Sequence, residues 1–147
     1  AEFFGLSSRI RRAGPEEAAA LGKRQQSLEE KMRNWPRTPQ NDPFYFATRE
    51  LADSLAEKTG LAVDLAFNEF CGPDIPTALN RAVAGGTEKV IVATTMMTRG
   101  GGHSETEIKE AIDEAIALHP DVAIVYAWPY ETDEVAAFLA GHLERFI

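Results

Sequence analysis

From Leu61 to the end, the chain alternates apolar runs with amphipathic ones, and no other feature restricts its fold so strongly. "LAVDLAF", "KVIVATT" and "VAIVYAW" read as buried strands at about 61–67, 88–95 and 122–128. Helical patterns lie between and after them: "IPTALNRAVAGG", a helix from Ser104, and a last helix from Asp133. Strands that alternate with helices join through right-handed crossovers into a parallel sheet with helices on its faces, so an α/β domain is expected. Ser104 and Glu107 have the S-x-x-E spacing of a capping box, ahead of Ile108, Ile112 and Ile116 on one helix face.

Two helices precede this region. "GPEEAAALGKRQQSLEEKMRNWP" has Pro15 at the first helical position, Glu16 and Glu17 in the first turn, and Pro36 as its stop. "NDPFYFATRELADSLAEKTG" is capped by Asn41 or Asp42, opened by Pro43 and ended by Gly60, with Phe44, Leu51 and Leu55 on its buried face. Lys31, Arg33 and Arg37 gather around Trp35, which reads either as a local basic patch or, the favoured reading, as a solvated helix end where cations suit the macrodipole.

Charge and cysteine content narrow the partners. With 15 basic residues against 23 acidic ones the net charge is −8, which argues against nucleic acid and anionic membrane as general partners. Cys71 is the only cysteine, so no intrachain disulfide forms, and a reduced cytoplasmic setting is expected. No apolar run approaches the roughly 18 to 20 residues of a membrane span. The 147 residues suit one domain with a real core.

Chemistry concentrates in the loops that follow the strands, where open parallel sheets hold their ligands. "TTMMTRGGGHSETEI" puts three glycines and His103 between a strand and a helix start. Three successive glycines are entropically expensive, so positive φ or a close backbone approach is expected there. "FNEFCGPDIP" and "WPYETD" hold the matching positions after the other strands, so three loops should converge on one rim. Glu69 stands between Phe67 and Phe70, and a carboxylate buried idle among aromatics would be costly. Cys71 reads either as a soft ligand or as a small core residue, the commoner use of a lone thiol. His119, before Pro120, and His142, within the last helix, read as surface or capping residues.

The glycine run has two chemical readings. Backbone N–H groups at a helix N-terminus could cradle a phosphate, but the G-x-x-x-x-G-K-[ST] and G-x-G-x-x-G spacings are both missing. Alternatively a neutral imidazole and a carboxylate hold a divalent ion, and the glycines make room for a large flat ligand against the backbone.

The stretch "FNEFCGPDIPTALNRAVAGGTEKVIVATTMMTRGGGHSETEIKEAI", followed by "HPDVAIVYAWP", resembles the small CbiX-type sirohydrochlorin cobaltochelatases, class II tetrapyrrole chelatases, from about Pro43 to the end. The resemblance implies a three-layer, flavodoxin-like parallel sheet with flanking helices in a single chelatase-like domain over 1–147. It implies insertion of cobalt or a similar divalent ion, nickel or iron included, into sirohydrochlorin or a related tetrapyrrole, with the metal as substrate and no organic cofactor. His103 would bind the ion and take part in removing pyrrole protons, and Glu69 would assist as ligand or proton acceptor. Met96, Met97, Gly100, Gly101 and Gly102 would border the macrocycle, and Arg99 would pair with its carboxylates. A homodimer is implied as well.

The family carries a second histidine in an amino-terminal strand-then-His-Gly motif, and this chain has none before His103. The favoured explanation is a strand segment that precedes Ala1. A degraded copy in "FFGLSSR", with Leu6 in the histidine's place, is the alternative. A non-catalytic metal- or tetrapyrrole-binding module of the same fold is the competing function, and a phosphate-ligand domain is a third.

Overall fold

A computed structural model describes residues 2–147. Nine-residue α1 (Glu2–Ile10), α2 (Pro15–Arg33) and α3 (Pro43–Thr59) belong to a first compact unit that ends at Asp74. A second unit, Ile75–Ile147, holds α4 (Ile75–Ala84), β1 (Lys89–Val92), a π-helical turn (His103–Glu107), α5 (Ile108–Leu118), β2 (Ala123–Tyr126) and α6 (Thr132–Leu143).

In the first unit α1 packs on α2, and Gln25 Nε2 donates to Ser7 Oγ at 2.8 Å. "FFGLSSR" is therefore helical, and Leu6 is a buried side chain in α1 rather than part of a strand-then-loop copy. The helix starts follow their punctuation. Pro15 opens α2, while the Asp42 carboxylate caps α3 by accepting from Tyr45 N at 3.0 Å. Gly60 ends α3 at φ 71°, a left-handed conformation open to a residue without Cβ.

The inward face of α3 differs from expectation. Phe44, Leu51 and Leu55 are exposed, and the inner stripe is Tyr45, Thr48, Ala52 and Ala56. Both sets have helical spacing. Tyr45 decides between them, because its ring stacks on Phe67 at 5.5 Å while Phe44 meets the same ring only edge-on at 6.4 Å.

Residues 61–67 form no strand ladder among the described residues. Exposure still alternates, with Val63, Leu65 and Phe67 more covered than Ala62, Asp64 and Ala66. The pattern thus reports an extended segment with two faces, but a strand also needs a hydrogen-bonded neighbour, which periodicity cannot supply.

The second unit carries the parallel pairing. β1 and β2 run in register from Lys89↔Ala123 to Val92↔Tyr126, within the expected spans 88–95 and 122–128 but shorter. One face packs on α4 and α5, where Ile75, Leu79, Ile108, Ile112, Ala115 and Ile124 form the core. On α5 the buried stripe runs Ile108, Ile112, Ala115, and Ile116 lies outside it. Ile91 and Val125, directly paired across the ladder, are exposed on the other face. The observed architecture is mixed α/β with a two-stranded parallel sheet.

Candidate functional site

The loop after β1 and the loop after β2 are tied together at the carboxyl ends of the strands. Ala127 N–H extends the ladder by donating to Val92 O at 2.8 Å. Beyond it, Tyr130 OH donates to Thr94 O at 2.6 Å and Trp128 Nε1 to Met96 O at 3.1 Å. Two of the three expected rim loops thus meet. Met96, Met97 and Arg99 lie exposed between them and the glycine run.

The three glycines have different reasons to be there. Gly100 has φ 91°, which a residue with Cβ rarely adopts. A Cβ at Gly101 would come within 3.3 Å of Ser104 Oγ, a tight approach. Gly102 is right-handed at φ −57° with open space where a Cβ would go, so packing does not require it.

Ser104 and Glu107 do not form the capping box. Ser104 is fully buried, its hydroxyl donating to Gly101 O at 3.2 Å while its own carbonyl accepts from Tyr126 OH at 3.1 Å. Burial of Tyr126, and next the nearby Tyr130, pushes the Tyr126 hydroxyl above the usual phenol range. The carboxylate that reaches back is Glu105, accepting from Gly100 N–H at 2.7 Å. This leaves Glu107 to its neighbour one turn earlier.

The helix enters through a π-helical turn, a local widening that often marks functional sites. In that turn His103 Nδ1 stands 2.7 Å from Glu107 Oε2, with both side chains about half exposed. An ionised carboxylate can only accept, so with Glu107 ionised the partner that completes this bond is Nδ1–H, and a neutral imidazole of that tautomer has its lone pair on Nε2. This is the carboxylate–imidazole arrangement that orients histidine ligands and raises their basicity. Glu107 is the site residue that sequence reading assigned elsewhere. Its i, i+4 spacing from His103 carried the signal.

The phosphate cradle loses support here. An anion at Gly100 N–H would have to displace the carboxylate of Glu105, a like charge.

Glu69 sits in a tight loop of the first unit. Phe67 N–H donates to Pro73 O at 2.9 Å and closes it, and Cys71 N–H donates to Glu69 O at 2.6 Å. Glu69 itself is exposed, so the burial cost anticipated between two phenylalanines does not arise. Phe70 has φ 58°, unusual for an aromatic residue. Cys71 is buried, and burial pushes its thiol up, as befits a small core residue.

Arg33 and Arg37 are not a solvated helix end. Their side chains are 21% and 14% exposed, because both reach into this loop. Arg33 donates to Cys71 O at 2.9 Å and Asn68 O at 3.3 Å, and pairs with Glu29 at 2.9 Å. Arg37 donates to Met32 O and Phe70 O, both at 2.8 Å, pairs with Asp42, and lies over the Tyr45 ring at 5.7 Å. Lys31 lies over Trp35 at 5.4 Å.

The other histidines stand apart from this chemistry. His119 caps α5 and meets Asn80 Oδ1 at 2.7 Å, and His142 contacts Phe146 near the end of α6. Among the described residues no three His, Cys, Asp or Glu side chains gather to hold a metal ion, and no helix is long and apolar enough to cross a membrane.

Comparison with known proteins gives this geometry a family. The CbiX family model matches residues 42–142, more than half of the chain, and the chain belongs to the CbiX family. A sirohydrochlorin cobaltochelatase of Priestia megaterium is 36% identical over 76 residues, which are 52% of this chain and 24% of that relative. The match therefore covers about a quarter of the relative's length. No solved structure matches.

Proposed function

We propose that the protein inserts a divalent metal ion, cobalt(II) first among the candidates, into sirohydrochlorin or a related tetrapyrrole. The observation that carries this reading is the His103–Glu107 pair at 2.7 Å beside Gly102, in a chain of the CbiX family. The likeness to a cobaltochelatase supports it.

Insertion must strip two pyrrole N–H protons while the ion sheds water. His103, with Nδ1–H held by Glu107, offers its other nitrogen to the incoming ion or to a leaving proton. Glu69 acts as a second ligand or proton acceptor. Open space over Gly102 lets a flat macrocycle approach the backbone, Gly100 and Gly101 shape the turn, and Met96 and Met97 border the ring. Arg99 pairs with the carboxylates at its periphery. This role goes with a three-layer, flavodoxin-like sheet working as a cytoplasmic homodimer, whose assembly light scattering would check.

Mixing full-length protein with sirohydrochlorin and cobalt(II) should produce the absorbance change of metallation faster than the protein-free control. Tight macrocycle binding with no rate above that control would instead mark a non-catalytic binding module.

A further inference from the structure

The loop that carries Glu69 holds a conformation its own residues do not favour. Phe70 at φ 58° puts an aromatic residue in the left-handed region, and such strain persists only where the surroundings over-determine it. Three carbonyls around Glu69, those of Asn68, Phe70 and Cys71, each accept from an arginine. A further close approach backs the loop, since a Cβ on Gly72 would come within 3.1 Å of Arg33 O at the end of α2. Asp42 pairs with Arg37 and caps α3, so one carboxylate joins the clamp to a helix start.

Both arginines lie upstream of residue 42, where the family match begins. The brace therefore comes from a part of the chain that the family pattern does not cover.

We propose that Arg33 and Arg37 are positioning residues for Glu69: their guanidinium groups grip the carbonyls of residues 68, 70 and 71 and fix the backbone from which the Glu69 side chain projects. The grip suits arginine and no other cation. Each planar fork donates to two or more acceptors at fixed angles, whereas a lysine ammonium supplies a point charge on a flexible stem. This proposal rests on the metal-insertion reading for what Glu69 does, but the clamp itself is measurable without any substrate.

The test uses full-length Arg37→Gln, Arg33→Gln and Arg37→Lys proteins, with circular dichroism to confirm that the helices remain. Amide hydrogen exchange at Phe67 and Cys71 should accelerate by about tenfold or more in each variant, as expected when a local closing contact is lost, while amides in α3 stay within about twofold. In metal insertion, Arg37→Gln should lower kcat about tenfold with KM for the macrocycle within about twofold. In a Glu69→Gln background the same change should cost less than about twofold more, because the group being positioned is already gone. Arg37→Lys should not rescue.

Unchanged exchange at Phe67 and Cys71 overturns the clamp whatever the enzyme does. Faster exchange with an unchanged kcat, or an effect fully additive with Glu69→Gln, overturns the positioning role. A wild-type protein that inserts no metal removes the reaction, and the role of the arginines toward it falls with that reading even where exchange shows the clamp itself.

Discussion

The His103 turn and the Glu69 loop draw their side-chain support from different ranges of the sequence. The turn is held mostly from within: Gly100 to Glu105, Gly101 to Ser104 and His103 to Glu107 are contacts five, three and four residues apart, and Tyr126 OH on the Ser104 carbonyl adds one from β2. The loop, closed by two backbone bonds of its own, takes its side-chain support from outside, from arginines 33 to 38 residues away in sequence. A locally closed turn can keep its shape when its functional side chain is removed. A loop gripped from afar is as ordered as its grip, so chemistry and local stability should separate cleanly in the first region and mix in the second.

The sharpest test of that contrast is His103→Ala. It should cut metal insertion by about 10³-fold or more, the upper range for a proton-transfer group, while changing stability by less than about 0.5 kcal/mol. The side chain is half exposed, and the turn's other three contacts, Gly100 to Glu105, Ser104 to Gly101 and Tyr126 to Ser104, do not involve it. Initial rates and urea unfolding would check both halves, and a large loss of stability would break the claim that the turn is self-supporting. Glu69→Gln should follow at about a hundredfold in kcat, the amide keeping the shape but not accepting a proton, with macrocycle affinity nearly unchanged by fluorescence titration. A loss mainly in affinity would make Glu69 a binding group.

How much of this was readable in the sequence depends on the range of the contacts. A cap at Asn41 or Asp42, the stop at Gly60 and the position of His103 before a helix were legible because each is written in adjacent residues, and the parallel pairing of the segments at 88–95 and 122–128 was legible from the helix that lies between them. The stretch 61–67 shows the limit of periodicity: its alternating exposure is there, but the ladder is not. The inner face of α3 turned on a partner ring, Phe67, that spacing within the helix cannot name. Ser104 and Glu107 fitted a capping box by spacing, yet each found a better use, since Ser104 had a carbonyl three residues back and Glu107 an imidazole one turn away. Arg33 and Arg37 read as surface charges because the loop carbonyls they serve, at Asn68, Phe70 and Cys71, lie more than thirty residues on.

Glu107 probes the turn at an intermediate scale. Glu107→Ala removes the group that fixes the imidazole tautomer, and losses of such partners cost about 10- to 100-fold in metal affinity or activity. Glu107→Gln keeps an acceptor oxygen and should recover most of that loss. Nitrogen-15 shifts of the His103 ring would report the tautomer directly, and an unchanged Nδ1–H signal in the alanine variant would show that Glu107 does not set it.

The smallest effect belongs to Asp42, where the two ways of building meet in one side chain. The Tyr45 N–H bond, and after it the Arg37 guanidinium, hold its carboxyl below the usual carboxylate range against the opposing cost of burial. A folded-state pKa below the unfolded value, near about 3.9, means that the unfolded chain binds the proton more tightly. The stabilisation is then fully present above that unfolded value and is lost as the pH falls through the lower folded one. Asp42→Ala should cost about 1 to 2 kcal/mol at pH 7, the usual value of a helix cap with a charged partner added. The gap between the two proteins should narrow below about pH 4, since the wild type then loses what the variant already lacks. Asp42→Asn, which can still accept from Tyr45 N–H but cannot pair with Arg37, should fall between them at pH 7. Urea unfolding at pH 7 and pH 3 would measure this, and a gap that stays constant across that range would show that Asp42 acts through shape alone.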